Sequence, residues 1–344
     1  MTMPTEVVVQ RVASNGDIIK AIRFSVNRLD EMQRLKTSQH IVIKPNLCCG
    51  KSSSSGATTD VTVVEAIIKL LNEINPSTEI SVIESNNRSI KAHEAFRIFG
   101  YTELTEKYPN VKLVNISQDR RHYVEVDGHV LANLMMPETL LNMDYFISVT
   151  KLKTHIFERI SGVLKNQFGC LTRTHKAGFH PFMSKVLTDL NLVYRPDLCV
   201  IDGIPAMEGF GPTDGTPVLT NLLIMGNDPV ATDSVAAQIM GFNPRSVPHL
   251  KFAAKHGVGN IKDVEVIGEK NPSLNMQFVP RRAYWATRLA LRLERYGQEL
   301  QNLGSLIEKI RSASITVGIP YVRKKVTYGF AIKSVKSWIF RRDG

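Results

Sequence analysis

The sequence contains few cysteines, and the four that it has show no spacing typical of a disulfide framework. Cys48 and Cys49 are adjacent, whereas Cys170 and Cys199 are isolated. The sequence also lacks an apolar run long enough to cross a bilayer, and its N-terminus lacks the basic and apolar regions of a signal peptide. These absences lead us to expect a protein of a reducing, cytoplasmic compartment.

The composition is that of an ordinary globular protein, with 43% hydrophobic and 22% charged residues in a chain of 344. The net charge of +11 is unevenly distributed. Residues 281–344 contain 14 lysines and arginines against 4 acidic residues, so this segment carries nearly all of the excess positive charge, and it also contains both tryptophans. We therefore predict an α/β domain over residues 1–275 and a basic, aromatic, mainly helical C-terminal extension over residues 276–344.

Short apolar runs alternate with segments of helical periodicity through residues 6–268. This alternation predicts an α/β fold with a mostly parallel or mixed sheet and helices on both faces. The predicted strands lie at 6–12, 40–43, 79–83, 111–115, 122–126, 145–149, 198–201, 221–225 and 264–267. The predicted helices lie at 17–35, 61–74, 88–101, 137–143, 181–194, 229–240 and 247–255.

Polar or charged side chains directly follow four of the predicted strands. They are Lys44 and Asn46, then Glu84, then Lys151, Lys153 and His155, and finally Asp202. Because the carboxyl ends of parallel strands lie at one edge of a sheet, we expect these side chains to lie close together. Ammonium groups beside carboxylates perturb each other's pKa and support general acid–base chemistry. Two alternatives remain open: antiparallel strands would divide the group between two edges, and the lysines would then be ordinary surface residues.

The first functional hypothesis is an enzyme that binds a small anionic substrate or cofactor at this edge. The candidate catalytic residues are His155, Lys153, Lys165 and Asp202. The candidate ligand-binding residues are Lys44, Asn46, Thr59, Glu84, Lys151, Asn166, Glu208 and Gly211. A divalent metal ion is a further candidate cofactor, because carboxylates and histidines in this region are suitable ligands. The candidate metal ligands are Asp202, Glu208, His155 and His175.

Two further local features bear on the chemistry. Residues 48–59 form a loop rich in Ser, Gly and Thr that opens onto a predicted helix, with Thr59 or Asp60 as its cap. Such a loop is either an anion cradle, formed by free backbone N–H groups and the helix dipole, or a plain linker. Cys170 follows the lysine-rich segment and is the best candidate for a reactive thiol, whereas Cys199 lies in the middle of a predicted strand and is assigned to the core.

Five stretches resemble, in the same order, the uncharacterised family catalogued as domain of unknown function 362. They are IVIKPNL at 41–47, KLKTH at 151–155, SGVLKNQFG at 161–169, VIDGIPAMEGFGPTDGTP at 200–217 and GNDPVATDSVAAQIMG at 226–241. The resemblance implies no established reaction, although ferredoxin-type cysteine clusters in many members imply redox or metal-linked chemistry. This chain has no CxxC, so it cannot form such an iron–sulfur cluster alone. More distantly, the Lys–His, Ser–Gly, Lys order is similar to a segment of the nickel-pincer lactate racemases.

A second hypothesis, from a different class, is a non-catalytic carrier of a cofactor or a maturation module for the metal centre of a redox partner protein. The missing cysteine cluster is compatible with this hypothesis, because the partner would supply the redox group. The shape of the site discriminates the two: a closed pocket with converging Lys, His and Asp side chains favours catalysis, whereas an open, flat polar edge favours a carrier.

The basic extension is predicted to dock on an anionic surface. Residues 281–344 combine cations with Trp, Phe, Tyr and Ile, the combination that an interfacial segment needs at the cytoplasmic face of a membrane. Nucleic acid ranks second as a partner, because the same cations could neutralise phosphates. A helical extension that packs on the protein's own body is the third interpretation.

Overall fold

The computed structural model describes residues 4–172, 176–269 and 272–278. The described part of the chain up to Met276 belongs to one compact unit. The predicted docking segment, 281–344, lies outside the described residues, so the interpretations of this segment and the boundary proposed at residue 276 stay predictions.

The strands and helices alternate along the chain as the periodicity predicted. The strands are β1 (Thr5–Arg11), β2 (His40–Pro45), β3 (Glu79–Glu84), β4 (Val111–Asn115), β5 (Arg121–Glu125), β6 (Asn133–Pro137), β7 (Tyr145–His155), β8 (Arg159–Ser161), β9 (Leu198–Glu208), β10 (Thr216–Val218), β11 (Leu222–Gly226) and β12 (Val264–Gly268). The helices are α1 (Asn15–Arg28), α2 (Met32–Thr37), α3 (Val61–Ile74), α4 (Ala92–Ile98), α5 (Thr102–Lys107), α6 (Glu138–Leu141), α7 (Val163–Asn166), α8 (Met183–Val193), α9 (Pro229–Ile239) and α10 (Pro248–Lys255).

Ten of the described strands form one mixed sheet with the order β12-β1-β11-β9-β7-β2-β3-β4, to which β10 adds beside β9 and β8 beside β7. The run β9-β7-β2-β3-β4 is parallel throughout. β11 runs antiparallel to both β9 and β1. The predicted α/β fold with a mixed sheet is therefore confirmed. The four strands whose ends carry the polar side chains are all parallel, so these ends share one edge of the sheet.

Helices cover both faces of this sheet. Val8 packs into a core with α1 and α3, whereas its neighbours Val7 and Val9 point to the opposite face and pack with α9. This alternation follows from the pleat of the strand, which sends successive side chains to opposite faces. Each fully buried aliphatic side chain stabilises the fold by about 1.5–3 kcal/mol. The two cores fix the strands and thereby fix the polar edge.

The two central strands are longer than predicted. The sequence suggested that one strand ends near residue 149 and another near residue 201, but β7 continues to His155 and β9 to Glu208. The extensions exist because each is paired: β8 forms a hairpin with the end of β7, and β10 pairs with the end of β9. Lys151, Lys153 and His155 therefore lie within a strand, not on a loop that follows it.

Several helix boundaries were also wrong. The predicted helix 17–35 divides into α1 and α2 around Asp30, which has a φ of 57° that a helix does not allow. The predicted helix 88–101 contains only α4, which ends before Gly100 with its φ of 77°, and α5 begins beyond the predicted range. Pro45 lies beyond the predicted strand 40–43. In the structure it is the last residue of β2 and pairs in register with Val149 of β7. The predicted helix 137–143 shrinks to α6, because Pro137 belongs to β6.

Candidate functional site

A buried ion pair joins the ends of β2 and β3. The Lys44 ammonium donates to both carboxylate oxygens of Glu84 at 3.0 and 3.1 Å. Both side chains are buried, and Glu84 also accepts hydrogen bonds from the backbone N–H groups of Leu47 and Ser85. The positive charge of Lys44 is thus already neutralised by the protein, which a buried ammonium group requires.

A second ion pair joins the ends of β7 and β9. The Lys151 Nζ lies 2.7 Å from Asp202 Oδ2, and neither side chain is exposed. Asp202 also accepts from the backbone N–H groups of Asp60 and Ile204, each at 3.0 Å. Asp202 therefore orients Lys151, and the charge of Lys151 is neutralised within the protein.

Lys153 has no carboxylate partner in the part of the chain that the structure describes. Its buried ammonium group donates to the Ala57 carbonyl at 2.5 Å and to Asn46 Oδ1 at 3.1 Å, and it lies 3.3 Å from the sulfur of Cys48. The two oxygen acceptors are neutral, so they solvate the ammonium group without cancelling its charge. Lys153 thus contributes a positive charge at the polar edge.

Lys165 lies on α7 and is partly exposed. Among the described residues it forms no hydrogen bond and no ion pair, and its Nζ lies 5.8 Å from the centre of the Phe168 ring. Burial lowers the pKa of Lys165 to about 8; Glu158 opposes this shift and the nearby Lys153 ammonium adds to it. At neutral pH Lys165 is still mainly cationic, yet it can exchange a proton close to physiological pH.

Lys176 is a third cation without a carboxylate partner among the described residues. It donates to Ser85 Oγ at 2.9 Å and to the Phe168 carbonyl at 3.3 Å. Burial lowers the pKa of Lys176 to about 8, and the Glu84 carboxylate opposes this shift. No local pattern in the sequence indicated Lys176, because this residue follows no strand and reaches the edge only through the fold.

His155 is a buried, neutral imidazole. Its Nδ1 accepts hydrogen bonds from the backbone N–H groups of Phe157 and Glu158, both at 3.2 Å. A neutral ring that accepts through Nδ1 carries its proton on Nε2. Burial, followed by the charges of Lys165 and Lys153, lowers the pKa of His155 well below its ordinary value. His155 is therefore suited to donate a hydrogen bond rather than to carry a positive charge.

A carboxylate–histidine pair that sequence reasoning missed lies beside these groups. The Nδ1 atom of His249 lies 3.0 Å from a carboxylate oxygen of Glu158, and both side chains are buried. The Nε2 atom of His249 has no hydrogen-bond partner among the described residues. No local pattern could reveal the pair, because its two members are 91 residues apart.

The position of α7, which carries Lys165, depends on Asp233 of α9. The Asp233 carboxylate accepts from the backbone N–H groups of Val163 at 2.6 Å and Leu164 at 2.9 Å. Gly162 leaves room for this contact, since a Cβ atom there would lie 2.1 Å from Asp233 Oδ1. Asp233 itself lies in α9, but its carboxylate caps the neighbouring helix α7.

The remaining predicted ligand-binding residues tie the edge together. The Asn166 amide donates to the Lys44 carbonyl and to Ser148 Oγ, both at 3.0 Å. Thr59 donates to the Val149 carbonyl and accepts from the Asn46 N–H, both at 2.9 Å. The Asn166 amide and the Thr59 hydroxyl therefore connect the strands of the edge. Contact with a ligand stays a prediction for both residues.

Glu208 and Gly211 lie at and just beyond the end of β9. Glu208 is buried, and the Gly211 carbonyl accepts from the N–H of Ile156 at 3.2 Å. A Cβ atom at Gly211 would lie 1.9 Å from the Thr154 carbonyl oxygen, so only glycine permits this close approach of the two chain segments. A ligand contact for either residue stays a prediction.

The N-terminus of α3 does not offer the free N–H groups that an anion cradle would need. The Asp60 side chain accepts from the Thr62 N–H at 2.9 Å, and Asp202 accepts from the Asp60 N–H at 3.0 Å. The protein's own carboxylates occupy these donors, so the interpretation of residues 48–59 as a cradle was wrong at this helix end. Asp60, one of the two predicted caps, does cap the helix.

The surroundings of Cys170 do not favour the reactive thiol that was predicted there. Cys170 is buried, and burial raises its pKa to about 12, which makes the thiolate inaccessible at physiological pH. Cys48 is partly exposed and lies against Lys153. The adjacent Cys49 side chain and the positive charge of Lys153 lower the pKa of Cys48, and burial opposes them. The signal was present in the sequence, because Cys48 follows the same strand end as Lys44.

The three predicted metal ligands that the structure describes, Asp202, Glu208 and His155, are not gathered into one centre. Among the residues described by the structure, no group of three or more His, Cys, Asp and Glu side chains is placed to hold a metal ion. His175 lies outside the described residues. Of the side chains at this edge, Asn46, Cys48, Lys165, Phe168 and Lys176 are partly exposed, whereas Lys44, Lys151 and Lys153 are buried. We call these eight residues the recess and the partly exposed ones its opening.

Comparison with known proteins shows similarity to a family, to a relative and to a solved structure. The profile of the family described as Domain of unknown function (DUF362) matches residues 41–238. The thylakoid-associated protein sll1697 of Synechocystis sp. is 26% identical over 253 residues, which are 71% of this chain and 76% of that protein. The lactate racemase apoprotein of Thermoanaerobacterium thermosaccharolyticum aligns with a TM-score of 0.39 and 12% identity, over 74% of this chain and 57% of that one. The chain thus spans little more than half of the racemase apoprotein.

None of the helices in the described part of the chain combines the length and the apolar character that a membrane-spanning helix requires.

Proposed function

The chain belongs to the DUF362 family, and we propose that it binds a small anionic substrate or cofactor in the recess at the parallel strand ends. The observation that carries this proposal is an excess of positive charge there. Lys44 and Lys151 are paired with carboxylates, but Lys153, Lys165 and Lys176 have no carboxylate partner among the described residues. An ammonium group that is withdrawn from water without a counterion destabilises the fold, and a bound anion would offset that penalty.

We assign each of these groups a separate role in anion binding. Lys165 lies at the opening and has no competing partner in the described structure, so it meets the ligand first. Lys153 lies deeper and its charge stabilises the bound anion. His155 offers an N–H donor without adding charge. The two buried ion pairs hold the ends of the strands in register and do not themselves contact the ligand.

The same recess supports proton transfer. The lowered pKa of Lys165, about 8, lets this group act as a general acid or base near neutral pH. We therefore favour an enzyme over a carrier. The carrier or maturation module is the alternative outcome: such a protein would bind the anion and release it unchanged.

The test replaces Lys165 with methionine and measures anion binding. In the wild type, inorganic phosphate or a small carboxylate from a metabolite panel is expected to raise the melting temperature and to give a measurable Kd. Loss of one charge-assisted contact, worth about 1.5–3 kcal/mol, is expected to weaken binding by about 10- to 100-fold in Lys165→Met. Isothermal titration calorimetry at low salt checks both values.

The matched control is Lys20→Met, whose side chain is 80% exposed on α1. This variant removes the same charge from the surface and is expected to bind anions like the wild type. The proposal fails if no anion in the panel stabilises the wild type, or if Lys165→Met and Lys20→Met bind it equally well.

We also propose that residues 281–344 dock the protein on an anionic membrane surface. The support is the concentration of charge and both tryptophans in this segment, together with the name of the thylakoid-associated relative. Each cation near such a surface contributes about 1 kcal/mol, so four together dominate the binding. Flotation with anionic vesicles is expected to recover the wild type at low salt and at least tenfold less of a variant with glutamine at Lys333, Lys336, Arg341 and Arg342.

Neutral vesicles are the control for this experiment and are expected to recover neither protein. Equal recovery of the wild type and the variant on anionic vesicles would contradict membrane docking. Protection of the segment by duplex or single-stranded nucleic acid, without any vesicle binding, would favour the second partner instead.

A further inference from the structure

We propose that Cys48 is the nucleophile of the recess: it is present as a thiolate and attacks an electrophilic carbon carried by a small anion. The charge of the ligand rests on the function proposed above, whereas the reactivity of the sulfur rests on its own surroundings. Nothing in the family resemblance assigns a role to this residue.

The first support is the contact between the sulfur and an ammonium group. Lys153 Nζ lies 3.3 Å from Cys48 Sγ, and the lysine is held in place because it also donates to Ala57 and Asn46. In its thiol form Cys48 donates to the Ala57 carbonyl at 3.6 Å, and the same oxygen also accepts from Lys153 at 2.5 Å. The fixed cation beside the sulfur therefore favours the ionised form.

The second support is the neighbouring cysteine. The adjacent Cys49 side chain lowers the pKa of Cys48, whereas the Cys48 side chain and burial raise the pKa of Cys49. Cys48 is therefore the more acidic thiol of the pair. Lys165, which has no other partner in the described structure, adds its positive charge to the same sulfur.

The third support is access. Cys48 is partly exposed, whereas Cys49, Cys170 and Cys199 are buried. Burial also raises the pKa of Cys170 and of Cys199. Of the four cysteines, Cys48 alone combines a cationic environment with a path to solvent, and it shares the opening of the recess with Lys165.

The chemical step needs no additional oxidant or reductant. The Cys48 thiolate attacks a carbon that bears a leaving group; one C–S bond forms, the bond to the leaving group breaks, and the leaving group departs with its electron pair. No proton moves, because the sulfur is already ionised. A carboxylate on the same molecule would bind Lys165 and hold the carbon near the sulfur, which raises its effective concentration there.

The experiment alkylates the intact wild-type protein and locates the label by peptide mass spectrometry. The first probe is neutral iodoacetamide, which does not depend on the anion site. Its rate at Cys48 is expected to be nearly constant between about pH 6 and pH 7.5, because an ionised sulfur has no proton left to lose. In the urea-unfolded chain the rate is expected to rise about tenfold per pH unit over the same range. Cys170 is the internal control and is expected to stay unlabelled in the native protein.

A native rate at Cys48 that rises about tenfold per pH unit, as for an ordinary thiol, would overturn the proposal whatever the anion experiments show. In Lys153→Met the flat profile is expected to give way to this steep one. If that variant does not fold, the wild-type profile still decides, since it requires no substitution.

The second probe, iodoacetate, separates this inference from the proposed function. Ordinary thiols react more slowly with iodoacetate than with iodoacetamide, and the lysines of the recess are expected to reverse that order at Cys48. Lys165→Met is expected to restore the ordinary order while the iodoacetamide profile stays flat. A flat profile with no preference for iodoacetate would keep the nucleophile and overturn its anionic substrate.

Discussion

Replacement of Asp202 by alanine is expected to destabilise the protein by about 3–5 kcal/mol, because it leaves the Lys151 ammonium buried without a partner. Neither side chain of this pair is exposed, and their charged atoms are 2.7 Å apart. The carboxylate also accepts from two backbone N–H groups, which would lose their acceptor as well. Equilibrium unfolding in urea at pH 7 measures the change in the free energy of unfolding.

Two further variants isolate the cause. The surface pair of Lys112 and Glu79 has a similar separation, 2.8 Å, but its side chains are 61% and 46% exposed. Glu79→Ala is therefore expected to change the stability by less than about 1 kcal/mol. The double variant Lys151→Met with Asp202→Asn removes both charges. It is expected to recover part of the stability that Asp202→Ala loses. If Asp202→Ala costs no more than Glu79→Ala, the buried pair does not hold the strand ends.

Replacement of Asp233 by alanine is expected to destabilise the protein by about 2–5 kcal/mol and to weaken anion binding. The substitution leaves the buried N–H groups of Val163 and Leu164 without their acceptor, and each unsatisfied donor costs about 1–3 kcal/mol. The same N–H groups begin α7, so Lys165 is expected to lose its fixed position. Urea unfolding and calorimetric titration with the anion that binds the wild type measure the two effects.

The pH dependence identifies the carboxylate itself. Burial raises the pKa of Asp233 from 3.8 to about 6, so between these values the folded protein takes up a proton that the unfolded chain does not bind. The contribution of this group to stability is therefore largest below pH 4 and is lost as the pH rises through 6. The non-titrating variant Asp233→Asn lacks this dependence.

Relative to Asp233→Asn, the wild type is expected to gain up to about 3 kcal/mol as the pH falls from 7 to 4. A constant difference between wild type and Asp233→Asn over this range would contradict the raised pKa. A loss of anion affinity in Asp233→Ala that is not accompanied by a loss of stability would place the effect on α7 alone.

The fold and the grouping of the polar strand ends at one edge were accessible from the sequence. Apolar periodicity predicted the alternation of strands and helices, and the parallel order of β2, β3, β7 and β9 confirmed that their polar ends share one edge. These properties are local, because a strand or helix is recognised from the spacing of its own apolar residues. The predicted ends of β7 and β9 were wrong, because pairing with the following strands β8 and β10 prolongs both strands.

The state of each charged group was decided by contacts between residues that are far apart in the chain. The sequence placed Lys44, Lys151, Lys153 and Lys165 in one set, yet the tertiary structure neutralises the first two with Glu84 and Asp202 and leaves the others without a carboxylate partner among the described residues. The folding of the chain also buries Cys170 and places Cys48 beside Lys153. Local pattern specifies which chemical groups reach the edge; burial and charge pairing, which depend on the folded chain, determine which of them remain available for chemistry.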